Sequence, residues 1–212
     1  SSPGMKGRAI FGGLLPYGTI WRAGANSATM ISFQDDVMVG GKELKAGEYS
    51  LFITPKESGA WAIYFDPSGK SVFNYEEDEA KIKATEGVVM IEATPKMMTE
   101  NQERMKFYIE LTDDKTAHVT MKWEKTALSF EVKTDPQAIA KSSIEAQLAS
   151  WYSYASAAQY YIDNGFDMEK AAAWADMSVK LKNDHFFNQW IMATLMAKNG
   201  KTADAAKYAK KA

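Results

Sequence analysis

The chain has 212 residues, of which 46% are hydrophobic and 25% are charged, and its 25 basic and 27 acidic residues give a net charge of -2. This composition is typical of a globular protein with its own core, and without a long basic run it argues against a nucleic-acid-binding surface. Cysteine is absent, which excludes disulfides and thiolate chemistry. No apolar run reaches ~18 residues, so no membrane-spanning helix is predicted.

The predicted strands follow a glycine-rich entry segment of ~15 residues that carries little local pattern. Short runs rich in β-branched and aromatic residues occupy residues 27–33, 36–41, 47–55, 60–66 and 87–95, separated by Gly and Pro. Strands this short and this closely spaced are typical of a β-sandwich or a small barrel. No helical pattern is interleaved among them, which argues against a parallel doubly wound sheet.

Three further runs, at 105–111, 117–123 and 128–132, alternate apolar and polar residues. A period of two places one face of a strand in the core and the other toward water. The apolar residues of the first run, which are expected in the core, are Met105, Phe107, Ile109 and Leu111. The segments 112–115 and 124–126 are predicted to be turns between the runs, which gives an antiparallel meander.

The pattern becomes helical at Asp135, a good N-cap, and Pro136, a good first helical residue. One long helix is predicted from about residue 136 to 162, with Gly165 as its stop signal. The N-caps of three more helices are predicted at Asp167, Asp184 and Thr202. Four helices joined by short loops are expected to pack as antiparallel neighbours.

These patterns predict an α+β fold that is mainly β. An antiparallel β-sandwich occupies residues 1–133, and a small antiparallel unit of helical hairpins occupies residues 134–212. The change of hydrophobic period from two to about 3.6 sets the boundary between the two domains.

The helical part contains an internal repeat. Its small residues recur 34 residues later, with Ala171, Ala175 and Ser178 matched by Ala205, Ala209 and Ala212. With a glycine after each helix pair, this period resembles the tetratricopeptide helical hairpin. The proline that usually closes each repeat is missing, and Asn183 stands near its place. A plain helical bundle is the alternative.

Two helical hairpins are too few to be stable alone. We therefore expect the helices to dock on the sandwich or on another subunit. An aromatic stripe at helical spacing, formed by Trp151, Tyr154 and Ala158, is the predicted contact surface. Trp174 and Trp190 are expected to add to this contact.

A dense motif occupies residues 6–55. From Lys6 to Thr29 it contains Lys-Gly-Arg, Phe-Gly and Pro-Tyr-Gly, and then Trp-Arg-x-Gly-Ala-Asn-x-Ala-Thr. A Gly-Lys-x-Leu-x-Ala-Gly-x-Tyr-x-Leu-Phe run follows from Gly41 to Phe52. This motif resembles the bacterial domain-of-unknown-function family 2911, and the resemblance extends more weakly to about residue 133.

The resemblance implies an exported bacterial protein, periplasmic or secreted, and some members carry a similar helical extension. It implies no chemistry, because the family has no established activity. Members usually have another strand-like segment before the Lys-Gly-Arg motif, so the chain is expected to lack an edge strand. No signal peptide is visible and the chain does not open with Met, so an export signal ahead of Ser1 stays an expectation.

The candidate ligand-binding residues are Tyr17, Trp21, Arg22 and Asn26. Arginine offers a planar fork for a carboxylate or phosphate, the aromatic rings offer stacking faces for a sugar or a cation, and asparagine offers a donor and an acceptor. Polar groups carried by a loop on a rigid sheet are where binding sites tend to occur.

A structural interpretation of the same residues competes. The Gly-Ala-Asn sequence that ends at Asn26 suits a turn, and Trp21 suits the core. In this interpretation the guanidinium of Arg22 is held by loop carbonyls, or by a carboxylate such as Asp35 or Asp36.

No metal, cofactor or catalytic site is predicted. The acidic run Glu76, Glu77, Asp78 and Glu79 fits no calcium-loop spacing. The two histidines, His118 and His185, lie far apart and have no partner at zinc-ligand spacing. No nucleophile-elbow, zinc-protease or phosphate-loop motif is present.

The leading hypothesis is therefore a non-enzymatic binding or scaffold module of the cell envelope, with a glycan or a protein as its partner and homo-oligomerisation left open. The alternative is a hydrolase of glycans or peptides with its site around Tyr17, Arg22 and Asn26. A close pair of carboxylates in the same cleft would favour the hydrolase.

Overall fold

The computed structural model describes residues 2–75 and 78–212. The chain divides into two compact units, Ser1–Pro136 and Gln137–Ala212. Two antiparallel four-stranded sheets form the first unit and helices form the second, which confirms the predicted α+β fold class.

The first sheet has the strand order β1-β4-β5-β6. Its strands are β1 (Thr29–Phe33), β4 (Gly47–Thr54), β5 (Trp61–Asp66) and β6 (Val89–Ala93). The second sheet has the order β3-β2-β8-β7. Its strands are β2 (Val37–Val39), β3 (Lys42–Leu44), β7 (Lys96–Leu111) and β8 (Thr116–Lys133). All paired strands are antiparallel.

The main core contains side chains from both sheets. Phe65 of β5 is fully buried, and its ring lies 5.5 Å from that of Phe130 in β8 in an edge-to-face contact. Tyr49 of β4 makes a second edge-to-face contact with Phe65, at 6.4 Å. Aromatic pairs in this geometry stabilise a core beyond the area that they bury.

The strand β8 corrects the predicted meander. Residues 124–126 do not form a turn, because 117–123 and 128–132 belong to one continuous strand. Buried positions change from odd to even numbers across Glu124, which has a positive φ of 54°. A β-bulge shifts the side-chain phase in this way, so the change of phase marked a bulge rather than a chain reversal.

The strand β7 also differs from its prediction. Met105 is buried, but Ile109 is 72% exposed and Leu111 is 79% exposed. The predicted burial of these two residues is wrong. The apolar face of the strand therefore continues past the core.

Helical structure interrupts the strands between β5 and β6, contrary to the prediction. A 3-10 turn, Val72–Tyr75, and a short helix α1, Glu79–Lys83, lie there. Together with Phe52 and Tyr64 they form a second apolar cluster that includes Tyr75 and Ile82. Every residue of β5 is consequently buried.

A buried polar network accompanies this cluster. The hydroxyl of Tyr75 donates to Asp66, which is fully buried, and the hydroxyl of Tyr64 donates to Glu79 of α1. The backbone N–H of Ser68 also donates to Asp66, at 2.8 Å. Burial, and then the hydrogen bond to Asp66, raise the pKa of Tyr75 above its usual value. Burial and then Glu79 raise the pKa of Tyr64.

These raised pKa values predict a loss of stability in alkali. In the unfolded chain a tyrosine has a pKa of about 10, and below that pH a raised pKa in the folded chain contributes its full stabilisation. This stabilisation is lost as the pH rises through the pKa of the folded chain. Absorbance at 295 nm is expected to show tyrosines that ionise late in the native protein and at about pH 10 in denaturant. The Tyr75→Phe variant should lose one tyrosine from the late phase, and an unchanged late phase would contradict the assignment.

Five helices form the second unit. They are α2 (Pro136–Ala146), α3 (Trp151–Asn164), α4 (Met168–Leu181), α5 (Phe186–Lys198) and α6 (Thr202–Ala209). The predicted single helix from 136 to 162 is wrong, because Ser150 begins a new helix with a capping box shared with Ser153. Helix α3 ends at Gly165 in the left-handed conformation, as predicted.

The predicted helix caps are confirmed only in part. Asp167 caps α4 by accepting from the N–H of Lys170. His185, not Asp184, caps α5, and α6 has Lys201 at its N-cap position without a side-chain hydrogen bond. Thr202 is the first residue of α6 and not its cap.

The helical unit has a core of its own. The small residues of α4, which are Ala171, Ala175 and Ser178, are buried, whereas Ala205 and Ala209 of α6 are not. Trp174 packs against Tyr161 of α3 at 4.7 Å and so lies within this core. Trp190 remains 46% exposed.

Candidate functional site

The entry segment before β1 forms the wall of the site. The backbone of Trp21 pairs with Ile53 of β4 through two hydrogen bonds of 2.8 Å. The indole N–H of Trp21 donates to the carbonyl of Gly24 at 2.9 Å, and the hydroxyl of Thr29 donates to the carbonyl of Ala23 at 2.7 Å. These bonds close the loop after Trp21 and hold it against the sheet edge.

Two tryptophans stack beneath this loop. The ring of Trp21 lies 5.8 Å from that of Trp123 in β8, with 28° between the ring planes. Both residues are buried. The loop is thus anchored to both sheets, because Trp21 pairs with β4 and stacks on β8.

Arg22 follows Trp21 and is only partly paired. Its Nη2 donates to the carbonyl of Ala25 at 2.6 Å, and its guanidinium carbon lies 5.9 Å from the centre of the Phe73 ring. Its Nε is buried and has no hydrogen-bond partner among the described residues. Among the described residues no carboxylate pairs with Arg22, and Asp36 instead accepts from Lys45.

The indole N–H of Trp123 is a second buried donor without a partner in the part of the chain that the structure describes. An unpaired buried donor costs about 1–3 kcal/mol. The two unpaired donors, on Arg22 and Trp123, belong to residues that line the same cavity. Both nitrogen atoms lie below the surface that water reaches, so an acceptor meets them only when neighbouring side chains shift.

The cavity has a volume of about 470 Å³. Its apolar wall comes chiefly from Leu14, Leu15, Pro16, Ile20 and Val72. Its charged groups are Arg8 and Arg22, and none of its lining residues in the described part of the chain carries a carboxylate. The cavity therefore combines apolar walls with two positive charges and favours an anion.

Arg8 is held in place by the entry segment itself. Its Nε donates to the carbonyl of Met5 at 2.9 Å, and its Nη2 donates to the carbonyl of Gly4 at 3.0 Å. No carboxylate neutralises it among the residues that the structure describes. Neither arginine of the cavity therefore has a carboxylate partner in the described part of the chain.

The structure brings together two of the four candidate residues. Trp21 and Arg22 line the cavity, whereas Tyr17 lines a separate depression of about 260 Å³ with Phe11 and Trp61. Asn26 is exposed on the loop and lines neither of them.

Sequence reasoning missed Arg8 and Trp123 as members of the site. Arg8 belongs to the Lys-Gly-Arg motif, which was a signal that it has a role. Trp123 lies on the apolar face of a strand and gave no signal other than that of a core residue.

The other candidate groups give no site among the described residues. No group of three or more acidic or histidine side chains there could hold a metal ion. Glu76 and Glu77 of the acidic run lie outside the described residues, while Asp78 caps α1 and Glu79 accepts from Tyr64. His185 packs on Trp151 at 4.4 Å.

The fold and the cavity define a class of protein: an antiparallel β-sandwich with a positively charged, apolar-walled cavity beside the loop that follows Trp21. Residues 1–132 match the family described as "Protein of unknown function (DUF2911)", and the chain belongs to this family. No curated protein and no solved structure matches the chain. Within the described residues, no helix is long and apolar enough to cross a membrane.

Proposed function

We propose that the protein is a binding protein whose ligand is a small molecule with an anionic group and an apolar part. The observation that carries this proposal is a cavity whose described lining residues combine two arginines with apolar side chains and include no carboxylate. A carboxylate, sulfate or phosphate accepts from a guanidinium in charge-assisted hydrogen bonds. The apolar walls then cover the rest of the ligand, as in most small-molecule sites.

Binding is favoured over hydrolysis because the described residues that line the cavity lack the groups that hydrolysis needs. Glycoside hydrolysis uses a pair of carboxylates, and general acid–base catalysis usually uses a histidine or a carboxylate. The described lining residues include neither type. No described residue of the cavity therefore favours the hydrolase hypothesis.

The cell envelope is the proposed location, and this proposal rests on the resemblance of the motif to exported proteins. Fractionation of cells that produce the full-length protein tests the location, and recovery with the cytoplasmic fraction would contradict it.

For the helical unit we propose a tetratricopeptide-like arrangement that contacts a partner protein. Consecutive helices pack on one another, α3 with α4, α4 with α5 and α5 with α6, which supports this arrangement.

A thermal-shift panel of matched anions and neutral analogues tests the binding function. Suitable pairs are glucuronate and glucose, 2-naphthoate and 2-naphthamide, and phenyl phosphate and phenol. A ligand that binds the native state raises its melting temperature, so we expect at least one anion to stabilise the protein while its neutral partner does not. Equal shifts within every pair, or no shift at all, would overturn the proposal.

A further inference from the structure

The depression that contains Tyr17 differs in charge from the cavity lined by Arg8 and Arg22. It has a volume of about 260 Å³. The charged groups among its described lining residues are Lys56 and Glu57, one of each sign. The depression therefore presents no net charge to a ligand, and it favours a neutral molecule where the arginine cavity favours an anion.

The ring of Tyr17 is held in a fixed position at this depression. It lies against Gly12, where a Cβ atom would come within 2.5 Å of the ring atom Cε2 and where φ is +81°, so contact and conformation both require glycine. The N–H of Gly18, the next residue after Tyr17, donates to the carbonyl of Pro55 at 2.8 Å. Since Tyr17 is still 41% exposed, it offers a rigid aromatic surface to solvent.

Two further aromatic residues form the base of the depression. Phe11 is half-buried, and its ring lies 4.7 Å from that of Trp61, which is buried. The indole N–H of Trp61 donates to the carbonyl of Lys56 at 2.8 Å, which fixes the turn between β4 and β5. That turn carries Lys56, Glu57 and Ser58, so the polar groups beside the aromatic surface are also held in place.

Hydroxyl groups surround the aromatic surface. Ser58, Thr94 and Thr126 line the depression together with Tyr17, and Ser58 and Thr94 are exposed. In the described chain, no hydrogen bond engages the side-chain hydroxyls of Tyr17, Ser58 or Thr94. A hydroxyl both donates and accepts, so this set suits a ligand whose own polar groups do the same.

A sugar ring has the chemistry that this arrangement fits. Its C–H groups give it an apolar face that packs on an aromatic ring, and its hydroxyls donate and accept hydrogen bonds. A proline-rich peptide also packs on aromatic grooves. Proline lacks an N–H, however, and such a peptide would leave the carboxylate of Glu57 without a donor.

We propose that this depression binds one ring of a neutral saccharide, which stacks on Tyr17 and bonds to the side chains of Glu57, Ser58 and Thr94. Its volume lies at the lower end for small-molecule sites and suits a single sugar ring. Among the described residues, none lines both this depression and the arginine cavity, so the two sites are independent.

An NMR titration of the native chain with neutral disaccharides tests this proposal. The probes are maltose, cellobiose and N,N′-diacetylchitobiose, and sorbitol is the matched ligand control because it carries hydroxyls but no ring. We expect at least one disaccharide to shift the indole N–H signal of Trp61 in a saturable manner, and sorbitol to leave it unchanged. The indole signals of Trp21 and Trp123, which line the arginine cavity, should not move.

Variants of Tyr17 test the role of the aromatic surface. Tyr17→Ala should weaken disaccharide binding at least about fivefold, because it removes the stacking contact, whereas Tyr17→Phe keeps the ring and should keep most of the affinity. Tyr108→Ala is the matched control. Tyr108 is 40% exposed, lies on β7 and does not line the depression, so its replacement should leave binding unchanged.

Three results would overturn the proposal: no saturable shift with any of the disaccharides, equal shifts with sorbitol, or equal losses in Tyr17→Ala and Tyr108→Ala. A short polyproline peptide that shifts the Trp61 signal when the disaccharides do not would overturn it as well. None of these results bears on anion binding, because the arginine cavity has different lining residues.

Discussion

Replacement of Phe65 by alanine is expected to lower the free energy of unfolding of the β-sandwich by about 4 kcal/mol. Phe65 has no exposed surface and makes edge-to-face contacts with Tyr49 in its own sheet and Phe130 in the opposite sheet. Its truncation removes both contacts and leaves a cavity between the sheets. Because β5 is buried on both faces, the surrounding structure has little freedom to collapse into that cavity.

Denaturant unfolding, followed by circular dichroism in the β-sheet region, measures this effect. Phe73→Ala is the matched control, since Phe73 is 73% exposed and its loss should change the free energy of unfolding by no more than about 0.5 kcal/mol. A loss below about 1 kcal/mol for Phe65→Ala would contradict the account of the core, because truncation of a buried phenylalanine costs about 3–5 kcal/mol.

The fold class could be predicted from local patterns, but the arrangement of some strands could not. Alternation in 117–123 and 128–132 identified strand residues correctly. The change of phase between these runs has two physical solutions, a turn or a bulge, and only the neighbouring strand β7 decides between them. Ile109 illustrates a second limit, because alternation gives the face of a strand but not how far the opposite sheet extends.

The helix boundaries show what local signals can and cannot decide. Pro136 and Gly165 were sufficient to place the start of α2 and the end of α3. The break between these two helices was missed, because Ser150 and Ser153 are also compatible with a helix interior when their capping bonds are not known. Just after α4, the side-chain amides of Asn188 and Gln189 in α5 donate to the carbonyls of Lys182 and Asn183. Because these donors come from the next helix, the sequence around the end of α4 does not predict them.

The candidate site was predictable only in part. Trp21 and Arg22 were identified because a bulky ring and a cation precede a turn sequence. Tyr17 and Asn26 lie on the same segment, but neither of them lines the cavity. Trp123 reaches the cavity from β8, about 100 residues further along the chain, and a contact of this kind depends on how the two sheets pack.

Arg22→Ala is expected to weaken ligand binding strongly while it leaves the fold largely intact. In the folded chain Arg22 has one carbonyl partner and no carboxylate partner among the described residues. Its loss therefore strands no countercharge among the described residues, and a stranded buried charge is the usual cause of a 3–5 kcal/mol penalty. A bound anion, by contrast, would lose its charge-assisted bonds, and truncation of such a partner weakens binding by at least about 30-fold.

Arg104→Ala is the matched control for the lost positive charge. Arg104 lies on β7, does not line the cavity, and donates to the carbonyl of Ser2 at 3.3 Å. Its replacement should leave the affinity for the anion unchanged. If both variants weaken binding equally, the anion responds to the overall charge of the protein and not to the cavity.

The most direct measurement of the central claim is a calorimetric titration of the native protein and of Arg22→Ala with the panel anion that gives the largest thermal shift. The melting curve of each protein is recorded alongside. We predict measurable binding by the native protein, at least about 30-fold weaker binding by Arg22→Ala, and free energies of unfolding that agree within about 1 kcal/mol. Retained binding in Arg22→Ala, or a loss of stability of about 3 kcal/mol or more, would contradict the account and make Arg22 a structural residue.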